Sequence, residues 1–399
     1  MKSKQIFTSH LAQTNTNPLM LEVDSAKGSY IFDVSGRKLL DMIAGVAVNN
    51  IGHRHPKVIH AMKEQMDKHL HVMVYGEFVQ SSQNTLAEKL LSTLPSNLNA
   101  VYFLNSGTEA IEASIKLVKR HTGRKKILAF QGAYHGSTNG SLSISSNEKK
   151  KEKFRPLLPE IAFLEWNNVG ELTKITEETA AVFLETVQGD AGVRIPSKRF
   201  MLDLSLRCKE VGALLVLDEI QCGMGRTGKL HAFEHFGIEP DLLVLGKGLG
   251  GGMPIGALVS SKMVMNSFSN DPALGHITTF GGHPVVCAAA AACLDVLQNE
   301  INWQKLETLG MHIEKELSPL EGVKSIRRIG YMFAIDMDSA ELVNKVVLRC
   351  MENGLIAFWF LSHPDSFRIS PPLNLSEEEM QLAVEIITKS IKDCLIPTR

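Results

Sequence analysis

The chain has 399 residues, of which 44% are hydrophobic and 21% charged, and its formal net charge is −1 at pH 7. This composition is typical of a globular protein with a large core, and at roughly 100–200 residues per domain it predicts two or three domains. The near-zero net charge argues against a basic surface that would bind nucleic acid or an anionic membrane.

The six cysteines include no CxxC pair, which favours reduced thiols over disulfides or a zinc site. The first fifteen residues contain no apolar segment of the kind found in signal peptides. The longest apolar run, from Val285 to Leu294, is too short to cross a membrane and predicts a buried, alanine-rich helix. We therefore expect a cytoplasmic protein with no membrane segment and no metal.

Along the chain, residues 29–53 contain two short strand-like pieces around the turn signal Ser35-Gly36. Near-continuous apolar runs then alternate with helical patterns, which predicts a mostly parallel sheet covered by helices on both faces. The runs are 100–104, 126–130, 181–185, 213–218, 241–246 and 255–261. Between the second and third runs, the charged segment 145–154 ("SSNEKKKEKF") is interpreted as a solvated loop or helix end.

The end of the chain mixes strands, such as "YMFAIDM" and "FRISPP", with amphipathic helices. Residues 377–395 have helical periodicity, and Ser376 with Glu379 three residues later predicts a capping box. From these changes of pattern we expect that residues 1–50 and 300–399 form one small α+β domain. Residues 51–299 would form the large domain, which binds the ligand.

Two glycine-rich strings resemble nucleotide-binding motifs. Gly246, Gly248 and Gly251 match the dinucleotide fingerprint, but four glycines and Pro254 follow where a helix should begin. The segment 223–229 ("GMGRTGK") matches a phosphate loop, but Leu230 stands where Ser or Thr should bind magnesium. Both matches are therefore interpreted as accidental.

Polar residues follow the ends of the predicted strands, where parallel α/β sheets bind ligands. Lys247 lies between an apolar run and glycines, which favours its neutral, nucleophilic amine. Asp218 ends another strand and would hold a cationic ring nitrogen. Ser106, with Glu109 three residues later, predicts the capped start of a helix and hence an anion site.

Tyr134 would lay its aromatic face on a planar ring. Taken singly, each of these residues has an ordinary structural explanation, such as a surface lysine, a turn-capping aspartate, a capped helix or a core tyrosine. Together they provide a nucleophilic amine, a partner for a pyridinium nitrogen, a phosphate cradle and a stacking face. This combination predicts a pyridoxal-phosphate site.

The chain resembles the class III aminotransferases (subgroup II, ornithine/acetylornithine type), which are fold-type I pyridoxal-phosphate enzymes. The resemblance covers nearly the whole chain. It rests on segments such as "FLNSGTEAIEA" (103–113), "ETVQGDAGV" (185–193), "LLVLDEIQCGMGRTGK" (214–229), "DLLVLGKGLGGGMPIGA" (241–257), "TTFGGHP" (278–284) and "FRISPPL" (367–373). It implies a large domain with a seven-stranded, mostly parallel sheet and a small α+β domain from both chain ends.

The resemblance also implies roles for individual residues around the cofactor ring. Lys247 would carry the cofactor as an internal aldimine and later move the proton between the substrate Cα and the cofactor. Asp218 would keep the ring nitrogen protonated, Gln221 would hydrogen-bond the phenolic oxygen and Tyr134 would stack on the ring. His135 and Glu185 are expected beside them.

The phosphate would be held by Ser106, Gly107 and Thr108 of one subunit and by Thr279 of the other, which implies a homodimer with shared active sites. Arg368 would clamp a substrate carboxylate, for which the two-pronged guanidinium is suited.

Two departures from the family pattern concern the substrate. Ser137 stands where related enzymes carry an arginine that anchors a second substrate carboxylate, and Arg194 is a candidate replacement. Asp190, which is one methylene shorter, stands where the family has a gating glutamate that would pair with Arg368. We expect a transaminase that moves an amino group from an acetylornithine- or ornithine-type donor to 2-oxoglutarate or pyruvate. The alternatives are a β- or ω-amino acid:pyruvate transaminase and an aminomutase, racemase or decarboxylase.

Overall fold

The computed structural model describes residues 2–74 and 76–396 of the chain. Its strands, in chain order, are β1 (Val23–Lys27), β2 (Tyr30–Asp33), β3 (Lys38–Asp41), β4 (Ala100–Leu104), β5 (Lys126–Phe130), β6 (Ile161–Leu164), β7 (Thr179–Glu185), β8 (Leu214–Asp218), β9 (Leu242–Gly246), β10 (Gly256–Ser260), β11 (Val323–Ile329), β12 (Met332–Met337), β13 (Leu355–Ile356), β14 (Phe358–Trp359) and β15 (Ser366–Ile369).

The α-helices are α1 (Lys2–His10), α2 (Ala44–Ala47), α3 (Pro56–Lys68), α4 (Ser81–Leu91), α5 (Gly107–Thr122), α6 (Asn139–Ser143), α7 (Glu148–Lys151), α8 (Lys198–Val211), α9 (Lys262–Met265), α10 (Pro284–Asn299), α11 (Trp303–Leu317), α12 (Ala340–Glu352) and α13 (Glu377–Leu395). Short 3-10 helices cover Glu152–Phe154, Val169–Lys174, Ala232–His235, Lys247–Gly250 and Asn266–Phe268.

The central sheet has seven strands in the order β4-β10-β9-β8-β7-β5-β6, which confirms the predicted seven-stranded sheet. Strands β9, β8, β7, β5 and β6 run parallel, whereas β10 is antiparallel to both β9 and β4. The six apolar runs correspond to six of these strands. The seventh, β6, lies at the edge and is partly exposed, so it lacks the continuous apolar run of a strand buried on both faces.

Helices cover the central sheet as its apolar strands require. Helix α5 packs on β9 and β10, and α8 packs on β7 and β8. Helix α10 packs against α3 and α4, and most of its alanines and valines are buried, which confirms the buried helix predicted around 285–294. Among the residues that the structure describes, no single helix is long and apolar enough to cross a membrane; only α10 and α11 together, across a bend of 80°, reach that length and composition.

Two smaller sheets flank the central one. The first has the order β1-β2-β3-β13 and the second β11-β12-β15-β14. In the first sheet, Leu355 of β13 pairs in parallel with Leu40 of β3, so a C-terminal strand joins the N-terminal ones. The limits at residues 50 and 300 stay a prediction, and the outer ends of that division, residues 1 and 397–399, lie outside the described residues.

Apart from Ser145 and one lysine, the charged segment 145–154 is partly or fully exposed, as its sequence indicates. It forms α7 and the 3-10 turn Glu152–Phe154, and Lys151 is only 4% exposed. The Lys151 amine donates to the carbonyl of Ser145 and lies over the ring of Phe163. A lysine stem can be buried while its amine finds an acceptor, and composition alone does not reveal which lysine of a run does so.

Candidate active site

Three parallel strands end beside one another at the carboxyl edge of the central sheet. Glu185 at the end of β7 pairs in register with Asp218 at the end of β8, and both side chains are buried. Strand β9 lies next to β8, and Lys247 is the first residue after it. Because parallel strands point the same way, the sheet brings an amine and two carboxylates to one edge.

Lys247 has an unusual backbone conformation and an enclosed side chain. Its φ of 41° lies in the left-handed region, which a residue with a Cβ adopts at a cost. Burial lowers the pKa of the Lys247 amine, and the charge of Arg368 lowers it further, while Asp218 and Glu185 act in the opposite direction. The amine is therefore neutral more often than an ordinary lysine, as a nucleophile requires.

Asp218 is held by two hydrogen bonds inside the protein. Its Oδ2 lies 2.7 Å from Nδ1 of His135, and its Oδ1 accepts from the backbone N–H of Ile220 at 3.0 Å. Burial by itself lowers the pKa of His135, but the hydrogen bond and charge of Asp218, with the charge of Glu185, raise it above the ordinary value. The pairing therefore favours the protonated form of His135 in a place where burial alone opposes it.

Glu185 fixes the loop that carries Tyr134. Its two carboxylate oxygens accept from the backbone N–H groups of Tyr134, at 2.9 Å, and Gly189, at 3.0 Å. Burial raises the pKa of Glu185 to about 7, against the effect of these hydrogen bonds and of His135.

Helix α5 begins at this same edge of the sheet. Ser106 is its N-cap, and its hydroxyl accepts from the backbone N–H of Glu109 at 3.2 Å, as predicted. The Glu109 carboxylate accepts from the backbone N–H of Asn105 and not of Ser106, so the capping box is shifted by one residue. Gly136, with φ 134°, lies so close to Thr108 Oγ1 that a Cβ would collide with it. The start of α5 and the Tyr134 loop thus form one wall.

These groups surround one cavity. Nine of the residues singled out in the sequence line it, namely Gly107, Thr108, Tyr134, His135, Ser137, Glu185, Asp218, Gln221 and Lys247. The sequence analysis missed four others, Gly136, Val187, Ile220 and Cys222. Three of the four are sequence neighbours of the predicted residues, and their small or apolar side chains carry no chemical signal of their own.

Four further residues of the predicted site do not line this cavity. Ser106 uses its hydroxyl as a helix cap, and Thr279 is exposed beside Phe280. Arg368 lies on β15, 7% exposed, over the rings of Phe358 and Phe360. Asp190 is 4% exposed and lies near enough for its charge to act on Arg368.

Asp190 makes its hydrogen bonds elsewhere. Its Oδ1 accepts from the backbone N–H of Leu361 at 3.0 Å, and its Oδ2 accepts from Ser362 Oγ at 2.7 Å and from Lys150 Nζ at 3.2 Å. The Nε of Arg368 is buried and has no hydrogen-bond partner among the described residues. Among the residues that the structure describes, no carboxylate is recorded in hydrogen-bond or ion-pair contact with Arg368.

Comparison with known proteins decides the family. The model of the family described as "Aminotransferase class-III" matches residues 11–391, which is nearly the whole chain. This protein is a class III aminotransferase. An acetylornithine aminotransferase of Archaeoglobus fulgidus is 37% identical over 380 residues, which cover 95% of this chain and 97% of the relative. A [LysW]-aminoadipate semialdehyde/glutamate semialdehyde transaminase of Sulfurisphaera tokodaii is 38% identical over 93% of this chain and 95% of its own.

Among solved structures, an ornithine aminotransferase from Toxoplasma gondii superposes with a TM-score of 0.90 at 28% identity, over 98% of this chain and 93% of the other. That ornithine aminotransferase structure has PLP at partial occupancy in its active site. The aminotransferase described here is likewise a pyridoxal-phosphate-dependent transaminase, as its family and its relatives show.

The residues present fit that cofactor. His135 Nε2 is buried without a hydrogen-bond partner among the described residues, although His135 lines the cavity. The first backbone N–H groups of α5, at Gly107 and Thr108, border the cavity and suit a phosphate. The aminotransferase therefore has helix N-terminal N–H groups, a buried aspartate and a lysine amine around one space, where the phosphate, ring nitrogen and carbonyl of the cofactor would each meet a suitable group.

Arg194 was the candidate replacement for the arginine that related enzymes have at the position of Ser137. In the aminotransferase its side chain lies outside the Lys247 cavity. Its guanidinium donates to the carbonyl of Gln131 and to the side chain of Gln188, and it lies over the Trp166 ring. It is not among the residues that line the Lys247 cavity. Arg194 is thus occupied by contacts that hold the loop after β7 in place.

Proposed function

We propose that this aminotransferase takes the amino group of an ω-amine donor of the acetylornithine or ornithine type and transfers it to a 2-oxoacid, 2-oxoglutarate or pyruvate. The observation that carries the proposal is the enclosed Lys247 amine, with its lowered pKa, in the cavity that contains the His135–Asp218 pair. The donor class is supported by the names of relatives that are 37% identical or more over almost the full chain.

When bound, pyridoxal phosphate supplies a carbonyl group that takes up amines and a ring that accepts electrons. Asp218, hydrogen-bonded to His135, would hold the proton on the ring nitrogen. Lys247 Nζ would hold the cofactor and, once displaced by the donor amine, would take the proton from the donor carbon. Its lowered pKa favours the neutral amine that such a base requires.

The remaining residues would bind and orient. The N–H groups of Gly107 and Thr108 would receive the phosphate, Gln221 would hydrogen-bond the phenolic oxygen, and the half-exposed Tyr134 ring would cover one face of the cofactor. Arg368, which lacks a bonded carboxylate, would receive the carboxylate next to the reacting carbon of the 2-oxoacid.

A panel of amino donors tests the donor class. The holoenzyme is mixed with one donor at a time, without a 2-oxoacid, and loss of the yellow colour of the bound cofactor is followed. We expect N-acetylornithine and ornithine to react fastest. Loss of colour with β-amino acids alone would overturn the acetylornithine proposal, and a racemase or decarboxylase would cause no lasting loss of colour.

Ser137 favours a second candidate, a β- or ω-amino acid:pyruvate transaminase. Ser137 lines the cavity where related enzymes have an arginine, so a carboxylate far from the reacting carbon has no guanidinium there. Pyruvate has no second carboxylate and would not need one. A comparison of 2-oxoglutarate with pyruvate as acceptors separates the two candidates.

We also propose a homodimer in which Thr279 of one subunit completes the phosphate site of the other. Phe280, next to Thr279, is 55% exposed, and it borders an apolar groove with Met62, Met66 and Leu70. Exposed apolar patches of this kind mark protein interfaces. The expected compartment is the cytoplasm, which the six free cysteines support.

A further inference from the structure

A second cavity adjoins the Lys247 cavity. Tyr134 and Ser137 line both spaces, so the two meet at these residues. The walls of the second cavity include Asn139 and Leu142 of α6, Lys150 of α7, and Ser362 from the loop after β14. Tyr134 and Ser137 therefore form the boundary between the two cavities.

Lys150 gives this second cavity its charge. Among the described residues that line it, Lys150 alone is charged. Its Nζ donates to Asp190 Oδ2 at 3.2 Å and to Ser362 Oγ at 3.3 Å, and it lies 5.9 Å from the centre of the Tyr134 ring. An ammonium has three N–H donors, so a third is left that no described residue uses. The side chain is 34% exposed, which leaves the amine within reach of a ligand.

Asp190 lies between two cations. Lys150 bonds to it directly, and its charge also acts on Arg368. The charge of Arg368 in turn acts on Lys247. Arg368 and Lys150 are therefore both close to Asp190. Arg368 is near enough to affect the Lys247 amine, whereas Lys150 lines the second cavity. The hydrogen bonds that Asp190 makes go to Leu361, Ser362 and Lys150, and none of them goes to Arg368.

We infer that Lys150 binds the distal carboxylate of a dicarboxylic substrate. Lys150 would thereby replace the arginine that related enzymes have at the position of Ser137. The inference rests on the proposed function and names the acceptor class: a 2-oxodiacid whose first carboxylate contacts Arg368 and whose second contacts Lys150. Charge-assisted hydrogen bonds of an ammonium to a carboxylate are among the stronger ones in proteins. A monocarboxylic 2-oxoacid has no second carboxylate for Lys150, which would keep only its ion pair with Asp190.

Binding of unreactive acids to the holoenzyme tests the inference without any turnover. Glutarate carries two carboxylates, whereas pentanoate has the same chain length and only one. By calorimetry, we expect glutarate to bind about tenfold more tightly than pentanoate, the ratio given by one charge-assisted hydrogen bond. In Lys150→Met, which keeps most of the stem, the ratio should fall toward one. Lys149→Met, an exposed neighbour on the same helix, is the matched control and should keep the wild-type ratio.

Steady-state kinetics provide the second readout. Lys150→Met should raise KM for 2-oxoglutarate about tenfold and leave KM for pyruvate within about twofold. Lys150→Arg should keep most of the preference for the diacid. Adding Ser137→Arg to the Lys150→Met protein should restore the preference for the diacid. The new guanidinium would enter the second cavity from the position of Ser137, which also lines it.

Two results would overturn the inference. One is an unchanged preference for glutarate and 2-oxoglutarate in Lys150→Met. The other is an equal loss for monocarboxylic and dicarboxylic acids, because Lys150 would then act only by holding Asp190 away from Arg368. A wild-type protein that reacts with no amino donor would instead contradict the proposed function, while the binding comparison would still decide the role of Lys150.

Discussion

Asp218 Oδ2 and His135 Nδ1 lie 2.7 Å apart, and both side chains are almost completely buried. The histidine comes from the loop after β5 and the aspartate from the end of β8, so the pair joins two strands that are not neighbours in the sheet. The pair places the Asp218 carboxyl group in a buried site beside a histidine whose pKa it raises.

Replacing Asp218 by Asn keeps the size of the side chain and removes its charge. We expect the rate of the reaction with amino donor to fall about 100-fold, the usual cost of losing one preorganised electrostatic contact. Stopped-flow recording of the loss of colour measures this rate. Asp241→Asn is the control and should retain the wild-type rate. Asp241 directly precedes β9, at the end of this strand that is far from Lys247.

Lys247→Ala should abolish covalent attachment of the cofactor, since the cavity contains no other lysine among its described lining residues. Borohydride reduction followed by mass measurement of the protein should show the added cofactor in the wild type and in the exposed-site variant Lys262→Ala. It should be absent from Lys247→Ala. Cofactor still bound covalently to Lys247→Ala would show that another amine does this work.

Glu219 predicts a pH dependence of stability. It is buried outside the cavity lining, and its carboxylate accepts from Thr186 Oγ1 and from the backbone N–H groups of Ala232 and Phe233. Burial raises the pKa of Glu219 to about 7. Glu219 has its ordinary, lower pKa in the unfolded chain. Between the two pKa values, the folded protein therefore keeps Glu219 protonated, whereas the unfolded chain has released this proton.

The contribution of Glu219 to stability is therefore full below about pH 4.5 and is lost as the pH rises to about 7. Glu219→Gln keeps an acceptor oxygen but does not titrate. We expect its urea midpoint to fall less than that of the wild type between about pH 5 and about pH 8. Identical pH profiles of the two proteins would contradict the prediction.

Arg226 lies completely buried between separate parts of the chain. Its guanidinium donates to the carbonyls of Tyr331 and Pro371 and to the side chain of Asn50. Burial lowers the pKa of Arg226 to about 9, so it stays charged at neutral pH. Arg226→Met would leave three buried acceptors without a donor, and we expect a loss of roughly 3 kcal/mol of unfolding free energy.

Urea unfolding of the holoenzyme checks this value. Because Pro371 follows Arg368 by three residues, we also expect a higher KM for the 2-oxoacid in Arg226→Met. Arg199→Met, which changes an exposed arginine, is the control and should alter neither quantity by more than measurement error.

The sequence predicted much of this molecule because its strongest signals are local. Apolar runs predicted six strands of the central sheet, and the polar residues near their ends predicted Asp218, Tyr134 and Lys247 as site residues, since the ends of parallel strands meet at one edge. The other six predicted cavity residues came from the resemblance to class III aminotransferases. The capped start of α5 and the capping box of Ser376 and Glu379 were likewise predicted and are confirmed, because a cap depends on residues three apart.

Contacts between distant residues were decided only by the tertiary structure. The sequence of three consecutive lysines, 149–151, does not indicate which of them is buried or paired. In the structure, Lys151 is buried and Lys150 pairs with Asp190, forty positions away. Which partner Asp190 takes, Lys150 or Arg368, depends on how the loop after β14 meets α7. The sequence by itself determined the reaction chemistry through Lys247 and Asp218. The charges that surround the substrate were set by the packing of remote segments, which no local pattern encodes.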